Sequence, residues 1–217
     1  MLLTSHEELP AEVSSRLLAA GRRRRFDRRE VIFHEGDAAD SLHLIVKGDV
    51  AIRTTTSVGA VVTIDVIGVG DLLGELAILP PVEPRSATAV ALQPTETIAV
   101  PATVFHSLRQ ELPVLTELVL AILTRRTRQV TLRMAEAVSV PVDVRVLRRL
   151  AELASRSGDR EGDVVVSLTQ DDLAGLAATT RETVNRVLRA EEERGVLALG
   201  RGRITVLDHA ALVRAAR

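Results

Sequence analysis

Two short stretches of this 217-residue chain carry side chains whose types and spacing could do chemistry. In the first, Gly70-Asp-Leu-Leu-Gly-Glu-Leu-Ala77 is followed, after a loop, by Arg85-Ser-Ala-Thr-Ala89. Gly74 permits close approach of a ligand to the backbone, and the N–H groups of the turn that follows it, through Glu75, Leu76 and Ala77, can face an anion. Arg85 offers a planar, two-pronged cation to a phosphate, with the Ser86 hydroxyl beside it. Glu75 supplies an acceptor for a ribose hydroxyl. Phosphate donors and a ribose acceptor on either side of one loop are what a cyclic nucleotide requires. A buried Glu75–Arg85 ion pair would look the same in sequence, and the residues alone leave that alternative open.

The second stretch lies between residues 169 and 207. Thr169-Gln-Asp-Asp172 has the form of a capping box, and Thr179-Thr-Arg-Glu182 repeats the arrangement to open a second helix that stops at Gly195. An apolar run at 196–199, Gly200-Arg-Gly-Arg203 and another apolar run at 204–207 complete a helix–turn–helix–hairpin order, that of a winged helix-turn-helix. Arg181, Glu182, Asn185 and Arg186 sit near the start of the second helix, where side chains reach base edges. An arginine can hold guanine O6 and N7 together, and a glutamate can accept from cytosine N4. Thr169, Thr180, Thr183, Arg201 and Arg203 are expected on phosphates, which position a protein without reading sequence. A solvated helix face would explain any one of these arginines. The ordered set Arg-Glu-x-x-x-Arg inside a capped helix points to double-stranded DNA.

The elements that must position these groups follow from the hydrophobic pattern. Residues 7–20 read as a helical lead-in. Short strand candidates at 31–33, 42–46, 50–52, 61–67, 87–91 and 97–100 are punctuated by Gly, Asp and Pro turns, which suggests a β-roll or sandwich. The basic run at residues 22–25 reads as a solvated helix end. From residue 114 to 138 there is no Gly or Pro, and Val119, Leu123, Thr127, Val130 and Met134 recur at spacings of three and four. That stripe predicts a long helix pairing with a second copy of the chain; a helix packed on its own domain is the alternative. Pro141 ends it, and a helix with Val146, Leu150, Leu153 and Ala154 on one face follows. The expected fold class is α+β, with an effector domain over 1–112, a dimerisation helix and hinge over 113–140, and a DNA-binding domain over 141–217.

Composition narrows the function classes. The absence of cysteine removes disulfides, thiolate zinc sites and cysteine-held iron–sulfur clusters. The five histidines, His6, His34, His43, His106 and His209, show no metal-ligand spacing, and the gap between His43 and His106 argues against haem. No nucleophile–base pair suggests an enzyme. No apolar run is long enough to span a membrane and the first residues lack a signal pattern, so the expected location is the cytoplasm. Net charge is −1, and apart from Lys47 every basic residue is arginine; acids nearly cancel them, so bulk charge says nothing about nucleic acid.

Gly74-Glu-Leu-Ala77 with Arg85-Ser-Ala87, the turns Glu35-Gly-Asp37 and Lys47-Gly-Asp49, and Thr180-Arg-Glu-Thr-Val184 with Arg186 together resemble the cyclic-AMP receptor protein (CRP/FNR) family of bacterial transcription regulators. The resemblance runs from about residue 20 almost to the end. It implies a cyclic-nucleotide-binding β-roll, a long dimerisation helix and a winged helix-turn-helix. It also implies a cyclic nucleotide effector, cyclic AMP first, with Glu75 on the ribose hydroxyl, Arg85 and Ser86 on the phosphate and the backbone of Gly74, Leu76 and Ala77 lining the pocket. Partners so implied are a second copy of the chain, a palindromic TGTGA-like operator and RNA polymerase. Where the family presents two adjacent hydroxyls to the purine, this chain has Val130 and Thr131, so Thr131 alone keeps that role. Ala178 stands where the family's turn has Gly, which implies a residue with a Cβ near positive φ, and Asn185 replaces a small residue. A constitutive β-roll that senses nothing is the competing reading, and Val130 is what favours it.

Overall fold

The computed structural model describes residues 10–79, 81–156 and 162–217, which fall into two compact units: one of residues up to 61 with 65–130, the other of 62–64 with 131 onward. The expected helix start at residue 7, and His6, lie outside the described residues.

The first unit opens with α1 (Ala11–Ala20) and is built on two four-stranded sheets. Strands β1 (Arg22–Phe26), β3 (Ser41–Lys47), β6 (Leu72–Leu73) and β8 (Thr95–Pro101) form one, in the order β1-β8-β3-β6. Strands β2 (Val31–Phe33), β4 (Val50–Thr55), β5 (Val61–Ile67) and β7 (Thr88–Ala91) form the other, in the order β2-β7-β4-β5. Side chains alternate across a strand, so β3 serves two cores. Leu42 and Leu44 join Val13 and Leu17 of α1, Phe105 of α3 (Ala102–Glu111) and Leu115 of α4 (Pro113–Ser139). Ile45, on the opposite face, packs with Val50, Ile67, Leu73 and Ala89 between the sheets. Each fully buried Val, Leu, Ile or Phe among them contributes about 1.5–3 kcal/mol.

Two expectations need correction here. Residues 22–25 are not a helix end but an edge strand, because β1 pairs along β8 from Arg22–Ala99 to Phe26–Thr95, and Arg23 and Arg25 both reach Glu96 across the ladder. Charge on an edge strand also discourages pairing with another chain. In α4, Val119 is only 3% exposed and belongs to the core of its own unit, so it is not available to a partner. Leu115, Val119 and Ile122 of the helix are held in the core of the β-roll, and Val114, Leu120, Val130, Leu132, Met134 and Val138 are its large apolar side chains left exposed.

The second unit contains α5 (Val142–Arg156), β9 (Val164–Val166), α6 (Gln170–Leu176), α7 (Arg181–Glu193), β10 (Leu197–Gly200), β11 (Arg203–Val206) and α8 (His209–Ala215). Its sheet has the order β10-β11-β9, and Leu150, Leu173, Val184, Leu188, Leu197, Ile204 and Leu212 fill its core. The expected capping box is present at α6: Thr169 Oγ1 accepts from the Asp172 N–H, and the Asp172 carboxylate accepts from the Thr169 N–H. At α7 the cap is Thr180 rather than Thr179, accepting from the Thr183 N–H at 3.3 Å. Arg145 clamps the turn between them, donating to the carbonyls of Ala177 at 3.0 Å and Ala178 at 3.1 Å.

Within that turn Ala178 has φ +50°, the left-handed conformation expected there, and its side chain is exposed. A Cβ in this region costs about 1 kcal/mol or more. Ala178→Gly is therefore expected to stabilise the protein by about 1 kcal/mol, a rise in Tm of roughly 2–4 °C in a thermal melt, since little packing is lost with the methyl.

Candidate functional site

The first site is organised by a buried cation. Arg85 is 3% exposed, its backbone N–H bonded to Asp37 O and its carbonyl accepting from the Gly36 N–H, so the chain delivers the side chain inward. Nη1 donates to Gly74 O at 3.1 Å, Nη2 donates to Ser41 O at 2.6 Å, and Asp40 lies 3.5 Å from Nη2. The guanidinium carbon lies 4.3 Å from the centre of the Phe33 ring. Nε is buried and has no partner. Burial lowers the pKa of Arg85, opposed chiefly by Asp40 and Asp37. Gly74 adopts φ +86°, and a Cβ there would come within 2.2 Å of Arg85 Nη1; this position needs glycine for its backbone and for its space.

Gly74 is also the N-cap of α2 (Glu75–Ile78), a single turn whose first residue is Glu75. Glu75 is 1% exposed, and its ion-pair partner is Arg126 of α4, not Arg85. Burial raises the Glu75 pKa and the Arg126 charge opposes that rise. Arg126 Nη2 also donates to Leu72 O at 2.7 Å, so the helix is fastened to the strand that leads into the turn. Of the buried ion pair that the sequence left open, each half exists, but with separate partners. Ser86 and Leu76 are exposed, Ala77 is buried, and Thr131 lies exposed on α4 in the second unit.

Chemically, this arrangement is a cation whose two terminal nitrogens each donate to a carbonyl and whose Nε is buried without a partner, beside a buried carboxylate. An unmet buried N–H costs free energy until an acceptor arrives, and a phosphate oxygen is a charge-matched one. The residues present therefore fit a phosphate-bearing ligand.

The second site is the exposed flank of α7. Arg181, Glu182 and Arg186 project from its first two turns while Val184 and Leu188 anchor the other face. Each potential reader has a protein partner. Arg186 holds Asp143 of α5 with two bonds, at 2.7 and 3.3 Å, which raises its pKa; Asn185 Nδ2 donates to Gln170 Oε1 at 3.1 Å; Arg181 lies 3.8 Å from Asp171. Arg201 and Arg203 are exposed at the β10–β11 hairpin, and Thr169, Thr180 and Thr183 stand at the starts of α6 and α7.

The comparisons with known proteins follow both sites. The family described as cyclic nucleotide-binding domain matches residues 23–111, and that described as Crp-like helix-turn-helix domain matches residues 144–215. A CRP-like cAMP-activated global transcriptional regulator of Mycobacterium tuberculosis is 31% identical over 195 residues, 88% of this chain and 87% of that protein. A cyclic AMP receptor protein of Thermus thermophilus is 34% identical over 208 residues, 95% of this chain and 93% of that protein. The chain belongs to the CRP/FNR family. A solved structure of the c-di-GMP responsive global regulator CLP of Xanthomonas campestris, 21% identical, shares the fold with a TM-score of 0.75 over 91% of this chain and 99% of that one.

As a CRP/FNR member the chain is a cyclic-nucleotide-binding transcription regulator with a helix-turn-helix DNA-binding domain, and not an enzyme. Among the described residues no helix is long and apolar enough to cross a membrane, and no cluster of His, Asp or Glu could hold a metal. Sequence reasoning missed Arg126, Phe33 and His43. Arg126 sat in a run of helical arginines with nothing to single it out, and the other two read as ordinary strand positions.

His43 lies behind the Arg85 cation. It is 6% exposed, bonded through Nδ1 to Thr97 Oγ1 at 3.0 Å, with its ring centre 6.1 Å from that of Phe33. Burial, then the charges of Arg85 and Arg24, lower its pKa to about 4, with Asp40 opposing. The folded protein therefore keeps His43 neutral while the unfolded chain takes up a proton below pH 6.5. Its contribution to stability is full above that pH and is lost as pH falls towards 4, by about 3 kcal/mol in all. Urea titrations at pH 7 and pH 4.5 are expected to show a smaller acid-induced loss for His43→Gln than for the parent; equal losses would mean that His43 is not held neutral.

Proposed function

We propose that this chain is a homodimeric, cyclic-AMP-gated transcription regulator of the cytoplasm that binds a palindromic TGTGA-like operator and works through RNA polymerase. The single observation that carries the gating is the buried Arg85 with its unsatisfied Nε beside the Gly74 turn. The cyclic phosphate is assigned to Arg85 and Ser86 and to the backbone of Gly74, Leu76 and Ala77, the ribose hydroxyl to Glu75, and the purine edge to Thr131. Two relatives above 30% identity carry cAMP in their names, which supports that nucleotide.

Dimerisation is assigned to α4 through Leu123, Thr127, Val130 and Met134, with Leu120 in place of Val119; Leu120, Val130 and Met134 are each more than half exposed in the single chain. Arg181, Glu182, Asn185 and Arg186 are assigned to base edges. Thr169, Thr180, Thr183, Arg201 and Arg203 are assigned to phosphates. The effector role lies in residues 1–112, the pairing and hinge in 113–140 and DNA reading in 141–217.

One observation favours a second reading, a β-roll that holds its shape without ligand: Glu75 already has a charge partner in Arg126. The two readings part on linkage. A ligand that biases DNA binding must be biased by DNA in equal measure. Fluorescence anisotropy with an operator duplex is expected to show at least tenfold tighter binding at saturating cyclic AMP, about 1.4 kcal/mol, and cyclic AMP is expected to bind the operator complex tighter by the same factor. Operator affinity unchanged by cyclic AMP and by cyclic GMP would establish the scaffold instead.

A further inference from the structure

Phe33 has no part in the family motif, yet it covers one face of the Arg85 guanidinium at 4.3 Å. Its placement is built in. β2 pairs with β7 through Val31–Val90 and Phe33–Ala89, a register that slips by one residue between them, and such a bulge re-aims the side chain beyond it. His43 stands behind the ring, and a second bond network runs from Thr97 Oγ1 through His43 to Ser41 Oγ at 3.4 Å, where the Ser41 carbonyl holds Arg85 Nη2.

We propose that Phe33, backed by His43, is a positioning residue for nucleotide binding: its ring holds the Arg85 guanidinium in plane and supports its charge while leaving Nε for the phosphate. The inference rests on the assignment of the phosphate to Arg85. The choice of an aromatic has a physical reason. A buried guanidinium needs electrostatic support, and a carboxylate in the place of Phe33 would supply it by taking up N–H donors. The quadrupole of a ring face supplies it without accepting a conventional hydrogen bond from them. The two carbonyls of Gly74 and Ser41 fix one edge of the guanidinium, and the ring fixes the plane. Nε is the single buried side-chain nitrogen or oxygen among the described residues with no hydrogen-bond partner.

The test compares the full-length protein with Phe33→Leu, which keeps an apolar filling but removes the ring, and Phe33→Tyr, which restores it. Affinity for cyclic AMP is measured by isothermal titration calorimetry, and folding by the melting temperature without ligand. We expect Phe33→Leu to weaken cyclic AMP about tenfold while the unliganded melting temperature stays within a few degrees, and Phe33→Tyr to return to within about threefold of the parent. A structural role alone would not be rescued by the ring in proportion to binding. Parent-like affinity in Phe33→Leu overturns the positioning role while leaving the Arg85 site standing. Equal weakening in the Leu and Tyr variants overturns the ring face as the cause. A parent protein that binds no cyclic AMP at millimolar concentration overturns the Arg85 assignment, and the Phe33 role with it.

Discussion

A guanidinium buried inside a β-roll is the constraint from which the rest of the first unit follows. Taking such a charge out of water is costly unless its surroundings answer it. Here the answers come from four groups: the Gly74 carbonyl at the mouth of α2, the Ser41 carbonyl at the start of β3, the Phe33 ring at the end of β2 and the exposed Asp40 just before β3. Each sits at the end of an element, where a small change in strand length or register would displace it. The left-handed Gly74 is the point of least tolerance, since any side chain there would strike the guanidinium it helps to hold.

The second unit works on a related principle at its surface. Its potential base readers are occupied in the absence of DNA, Arg186 by Asp143, Asn185 by Gln170 and Arg181 by Asp171. The two ion pairs are solvent-exposed and individually weak, so exchanging them for base or phosphate acceptors is cheap. What must stay rigid is the frame that presents them. The capping box at Thr169, the Thr180 cap and the Arg145 clamp on the Ala177 and Ala178 carbonyls provide it, at the cost of one alanine in a conformation that glycine adopts more easily. The guanidinium site is unsatisfied and buried; the reading surface is satisfied and exposed.

Much of this was legible from residues alone where the signal is local. Capped helices announce themselves within four residues, which is why α6 and α7 were read nearly to the residue, with the second cap displaced by one position. The uninterrupted run after Pro113 marked α4, and alternation with Gly and Asp turns marked most of the strands. Where the decisive interaction is distant in sequence, the reading failed. Four arginines became β1 because β8 was there to pair with them. Helix α3 was missed because its β-branched start resembles a strand end, although Phe105 and Leu108 supply a helical face once the sheet is present. Val119 looked like part of a partner-facing stripe, and the β-roll claims it instead. Glu75 and Arg85 both stood out by residue type and spacing, but that they are paired with Arg126 and with carbonyls, not with each other, is a fact of three dimensions.

The account stands on Arg85 as the phosphate's partner. The most direct measurement is the melting temperature of the parent protein and of Arg85→Ala, each with and without cyclic AMP at a hundredfold excess over the parent's Kd. Binding to the folded state alone is worth about 2.7 kcal/mol at that saturation, a rise of several degrees for a protein of this size. The account predicts that rise in the parent and its loss in Arg85→Ala, each judged against its own unliganded melt. The same rise in both proteins would contradict it.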